Sequence, residues 1–154
     1  MSDNKKLVIT RVLDAPLSKV WQAWVEQEQV VQWWGPYGAT NPTCEWDARP
    51  GGKINILMLA GKELGPLAGQ EWPMNGEFRS VEPEKKLVFT TAALSRSKAI
   101  LENQVTVTFE EQGSKTKLTV DIVVTRITKE AEGPLAGMEM GWNQQLDKLT
   151  KHLA

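Results

Sequence analysis

Glu45, Asp47 and Arg49 alternate over five residues, and in a strand that spacing sends all three side chains to one face. Two carboxylates beside a guanidinium can exchange protons. The commoner use of such a row is a solvated face or a cross-strand ion pair, and no reaction is assigned to it. Cys44 is the only cysteine and His152 the only histidine in 154 residues. With one of each, an internal disulfide, a cysteine zinc site and most metal or triad chemistry drop out. Cys44 has no basic group or histidine beside it in sequence to favour a thiolate, so it reads as structural. His152 lies in the last turn of a predicted helix, where the helix dipole favours positive charge. Asn55, Thr90 and Asn103 remain as polar groups that either anchor a ligand in a pocket or face outward from strands.

The other conspicuous residues are aromatic. Trp21, Trp24, Trp33, Trp34 and Trp142 fall on predicted helices or at their ends, where large rigid rings either seal a core or line a pocket for an apolar or aromatic ligand. No cofactor is expected.

The composition fits the elements that would position these residues. Hydrophobic residues make up 41% and charged residues 24%, the balance of a globular chain, and the length suits one domain over residues 1–154. Eighteen basic against nineteen acidic residues, in no long block, leave no footprint for nucleic acid or anionic lipid. No window reaches the roughly 18 apolar residues of a spanning helix, and the polar start lacks the apolar stretch of a signal peptide, so a cytoplasmic, non-membrane protein is expected.

Leu7 to Leu13 reads as a first strand, and Pro16 opens a short helix with Leu17, Val20, Trp21 and Trp24 at helical spacing. A second short helix spans Gln27 to Trp34, stopped by Gly35-Pro36. From Thr43 the period becomes 2. Ile54, Ile56 and Met58 share a face after the Pro50-Gly51-Gly52 turn, and Gly76 to Val81 and Leu87 to Leu94 read as further strands. Val105, Val107 and Phe109, then Leu118, Val120, Ile122 and Val124, form a hairpin about Gln112-Gly113-Ser114. Last comes a helical stripe, Leu135, Met138, Trp142, Leu146, Leu149 and Leu153, spaced 3, 4, 4, 3 and 4. The Gly-rich stretch from Ala60 to Trp72 reads as a mobile loop, with Gly65 to Gly69 as an entrance lid; that segment recurs as Gly133 to Gly137, too short an echo for an internal repeat. Gly137 and Gly141 leave a bare strip on the last helix, read as room for close packing or for a ligand.

Several segments together carry a resemblance: Ala15-Pro16 with Val20-Trp21, Val31-Gln32-Trp33-Trp34-Gly35-Pro36, Glu45 to Gly52, Gly76-Glu77-Phe78, Leu87-Val88-Phe89-Thr90 and Gly141-Trp142. In this order they resemble the homologues of the heat-shock-protein-90 ATPase activator, within the START-like SRPBCC superfamily. The resemblance implies an α+β helix-grip fold: a curved antiparallel sheet of six to seven strands around a long C-terminal helix, with two short helices after the first strand. It also implies a cavity between sheet and helix. On that fold the expected lining is Trp24, Trp33, Ile54, Ile56, Met58, Phe78, Phe89, Met138, Gly141 and Trp142.

The relatives have no single activity. The leading expectation is binding, as sequestration, transport or sensing, of a small hydrophobic or aromatic molecule in that cavity. The alternatives are a co-chaperone-like interaction module with a chaperone as partner, and a polyketide cyclase or dehydratase-like enzyme. The last would need a polar set, for which Asn55, Asn103 and His152 are the nearest candidates.

Overall fold

The computed structural model describes residues 6–95, 98–129 and 137–154. Among these residues seven strands are present: β1 (Lys6–Leu13), β2 (Ala39–Trp46), β3 (Lys53–Ala60), β4 (Glu71–Glu82), β5 (Lys86–Ser95), β6 (Lys98–Gln112) and β7 (Lys115–Ile127). They form one curved antiparallel sheet in the order β1-β7-β6-β5-β4-β3-β2. Sequential strands are neighbours from β2 to β7, as hairpin connections dictate, and β1 crosses to pair with β7. Two short helices, α1 (Leu17–Val25) and α2 (Gln27–Trp33), follow β1, and α3 (Met138–Leu153) closes the fold. This is the expected helix-grip arrangement.

The alternation along β6 and β7 buries Val105, Val107, Phe109, Leu118, Val120, Ile122 and Val124 on the face that meets the helices. From α3 come Met138, Trp142, Leu146, Leu149 and Leu153, the predicted stripe without Leu135, which lies outside the described residues. Gln145 is buried in the same row. Where α1 meets the end of α3, Lys19 Nζ donates to the Leu153 carbonyl at 2.8 Å and satisfies one free C-terminal acceptor.

Three boundaries differ from the sequence reading. β2 begins at Ala39 rather than Thr43, because a register shift between Thr40 and Thr43 absorbs Pro42, which has no N–H to give the ladder. β4 begins at Glu71 rather than Gly76; Pro73 interrupts the strand signal yet pairs in register with Leu57. The row of Glu45, Asp47 and Arg49 is broken, since β2 ends at Trp46. Asp47 and Arg49 form their own ion pair at 2.8 Å in the following turn, while Glu45 accepts a bond from Asn55 Nδ2 at 2.6 Å. Gly52 in that turn approaches the Asp47 backbone so closely that a Cβ would collide with its carbonyl.

The Ala60 to Trp72 stretch is mostly ordered into local turns. A 3-10 segment covers Lys62–Leu67, and Gly61 N–H donates to the Gly38 carbonyl at 2.8 Å.

Candidate functional site

The site is assembled around the turn from Trp34 to Ala39 and the helix that holds it. Gly35 has φ +92°, a left-handed conformation that a side chain disfavours, and a Cβ there would press on Met58 and Ala39. The N–H of Gly35 is bonded to Gln145 Oε1 at 2.7 Å, and that of Tyr37 to Gln144 Oε1 at 3.0 Å. Lys148 Nζ donates to the carbonyls of Trp34, Pro36 and Ala39 at 3.1, 3.4 and 3.4 Å. Burial lowers the pKa of this ammonium, and the three carbonyls offset its lost water. One face of α3 thus satisfies a turn that has few ladder bonds of its own.

Arg11 of β1 joins the same network. Its guanidinium reaches Asp147 Oδ1 at 2.6 Å, and Tyr37 Oη donates to Asp147 Oδ2 at 2.6 Å. The Tyr37 hydroxyl and the Arg11 guanidinium hold the Asp147 carboxyl below its ordinary range, and that bond raises the Tyr37 hydroxyl in turn. A carboxylate depressed in the folded state contributes stability that is present above its unfolded pKa and lost as pH falls through the folded value. Asp147→Asn is therefore expected to lower the unfolding midpoint at neutral pH. The difference from wild type should close only at acid pH, below the ordinary carboxylate range. Both partners are part-exposed, so the neutral-pH gap should not exceed about 1 kcal/mol. Thermal unfolding of both proteins across acid pH checks it.

Below this turn, a cavity of about 770 Å³ opens between the first turns of α3 and strands β3 to β6. Trp34, Trp72 and Trp142 contribute rings to its wall, and Met58, Met74 and Met138 contribute thioethers. Leu94, Ile100 and Leu101 line it from β5 and β6, and Leu67 from the 3-10 segment. Thr91, Asn103 and Gln145 are its buried polar groups. At Gly141 an added Cβ would meet nothing within 4 Å, so close packing does not account for this glycine. Its missing side chain leaves space at the wall.

Of the residues expected to line the gap, Met58, Met138, Gly141 and Trp142 are brought together here. Trp24, Trp33, Ile54, Ile56, Phe78 and Phe89 are buried in the packed core and do not reach the cavity wall. The physical reason is Trp46, which sequence reasoning did not single out. Its ring lies 5.1 Å from Phe78, 5.2 Å from Phe89 and 5.1 Å from Trp34 by centroids, and its Nε1 donates to the Trp24 carbonyl at 2.7 Å. It plugs one part of the sheet–helix gap. Trp24 and Trp33 then stack edge-on at 4.7 Å behind it.

Gln145 was also missed. It lies three residues after Trp142 and four before Leu149, so the helical stripe itself marks it as inward-facing.

The three candidate acid–base residues do not converge on this cavity. Asn55 lies on the uncovered face of the sheet, in a polar groove of about 510 Å³ that Glu77, Arg79, Thr90 and Asn103 also line. His152 Nε2 is 2.9 Å from Gln29 Oε1, and it is not part of the cavity wall. Asn103 alone of the three reaches the cavity. Burial pushes the Cys44 thiol up to about 11, so at neutral pH it stays protonated. Among the described residues no group of three or more His, Cys, Asp or Glu side chains could hold a metal ion. No helix among them is long and apolar enough to cross a membrane.

The fold is shared by solved structures of low sequence identity. A Chromobacterium violaceum protein superposes with a TM-score of 0.78 at 23% identity, covering 97% of each chain. The AHSA1 protein of Silicibacter pomeroyi gives 0.79 at 24%, again over 97% of each chain. An Arthrobacter aurescens protein gives 0.79 at 23%, over 96% of this chain and 85% of its own. No curated protein is similar enough to match. The family described as Activator of Hsp90 ATPase homolog 1-like protein matches residues 14–154, which take in the clamped turn, the cavity wall and α3. The chain belongs to this family.

Proposed function

We propose that this protein binds a small, largely apolar molecule in the cavity between the sheet and α3, so as to carry, sequester or sense it. The observation that carries the reading is the space beside Gly141, bounded by three indoles and three methionines and filled by no side chain of the described residues. Its size falls within the range of small-molecule sites, and methionines adapt their shape to a guest at little cost. Asn55 and His152 do not line this cavity, which weighs against a cyclase-like reaction there.

A native mass spectrum of the freshly purified chain tests the proposal. A co-purifying mass in the range of small organic molecules, lost on denaturation, is expected. A bare chain that also takes up no apolar ring compound would contradict it.

Co-chaperone binding is the second reading, favoured by the description of the family. A partner would meet the uncovered sheet face. There the charges already pair with one another, Arg79 and Lys53 with Glu77 at 3.7 and 4.0 Å and Arg126 with Glu102 at 3.4 Å. That leaves less charge free for a partner, and the cavity reading is preferred.

A further inference from the structure

Among the described residues two buried polar atoms on the cavity wall have no partner, and they define what a guest must offer. Gln145 is 5% exposed, and its Oε1 is engaged by the Gly35 N–H at 2.7 Å. That bond settles which end of the amide is oxygen, because the reverse assignment would set two N–H groups against each other. Nε2 is then a donor, and among the described residues it has no acceptor. Asn103, 8% exposed, gives its Nδ2 to Thr91 Oγ1 at 3.3 Å and keeps Oδ1 unpaired. A buried donor without an acceptor is costly, and native folds rarely leave one without a water or ligand to satisfy it.

The charge of the wall adds a second constraint. Among its described residues Glu71 alone is charged, and it is exposed. Among the described residues no Lys, Arg or His lines the cavity. From these residues an anionic guest would gain no counter-charge for its lost hydration, and Glu71 would repel it.

Resting on the binding reading above, we infer that the guest is an uncharged, ring-bearing molecule with a carbonyl-type oxygen that accepts the free Gln145 Nε2–H, and that the cavity rejects carboxylates such as fatty acids. The rings pack among Trp34, Trp72 and Trp142. Asn103 Oδ1 provides a second polar contact for guests that also carry a donor.

Three naphthalenes of similar size separate these requirements: 2-acetonaphthone, 2-ethylnaphthalene and 2-naphthoate, titrated calorimetrically near neutral pH. The ketone should bind about tenfold more tightly than the hydrocarbon, and the carboxylate at least about tenfold more weakly than the ketone. Gln145→Glu keeps an oxygen for Gly35 and removes the donor. It should abolish the ketone's advantage, bringing the ketone-to-hydrocarbon affinity ratio to about one. Gln145→Met, checked for folding by thermal unfolding, should give the same loss without adding charge. Equal binding of ketone and hydrocarbon, tightest binding of 2-naphthoate, or an advantage that survives both variants would overturn the inference and leave the binding reading standing. Failure of all three probes to bind would overturn both.

Discussion

Gly141→Leu is expected to stabilise the protein and at the same time weaken uptake of a ring compound by about tenfold or more. A glycine within a helix costs up to about 1 kcal/mol relative to a good helix former, and Gly141, the fourth residue of α3, sets the propensity gain at no more than that. Burial of the new side chain adds to it, because a Cβ at this position meets nothing within 4 Å. The same side chain then occupies space that a guest would use beside Met138 and Trp142. Gly141→Ala separates the two effects: it should recover the propensity gain with little loss of binding. Denaturant unfolding and a fluorescence titration with a naphthalene probe measure both. A destabilised Gly141→Leu protein would mean that the space is taken up by the fold.

The opposite pattern is expected at Trp33. This ring is 0% exposed, packs against Trp24 at 4.7 Å and Trp34 at 5.8 Å, and donates from Nε1 to the Ala23 carbonyl at 3.0 Å. Trp33→Ala removes a fully packed aromatic and leaves a buried carbonyl short of a donor, a loss of about 3–5 kcal/mol. Against a total stability of about 5–15 kcal/mol, that brings the protein close to unfolding. Trp142 is 9% exposed, touches Trp34 edge-on at 5.6 Å and has the open cavity on its other side. Trp142→Ala forfeits fewer contacts and should cost only about 1–2 kcal/mol, with most of its effect on binding. Unfolding curves and probe titrations of the two variants should therefore rank them in opposite orders. The same order in both assays would erase the distinction between core and cavity tryptophans.

That distinction marks where sequence reading stops. Periodicity showed which residues of β6, β7 and α3 face inward, since alternation by 2 and spacing by 3 and 4 each point to one side. It does not show whether an inward residue meets another side chain or empty space. Ile54 and Met58 share a face of β3, yet Ile54 is sealed in the core and Met58 reaches the cavity, because Trp46 fills the gap near one and not the other. Trp46 stands in a charged stretch between Glu45 and Asp47, and that context hid its inward role.

Polar residues were the harder half. Gln145 lies on the apolar stripe and was passed over because the stripe was counted in hydrophobic residues. Arg11, Tyr37, Asp147 and Lys148 are joined only by tertiary contacts between β1, the Trp34 to Ala39 turn and α3. The Trp34-Gly35-Pro36 segment was legible as a family mark, but its physical purpose, a turn clamped by Gln144, Gln145, Asp147 and Lys148 of α3, needed the fold.

The most direct test of the central claim is to locate a guest. Crystals soaked with 2-acetyl-6-bromonaphthalene and measured at the bromine edge report its position independently of any assumed pose. The anomalous peak is expected inside the wall formed by Met58, Met138 and Trp142, with the ketone oxygen at Gln145 Nε2. A peak confined to the groove around Asn55 and Thr90, or a cavity closed by a rotated Trp142 with no peak, would contradict the account.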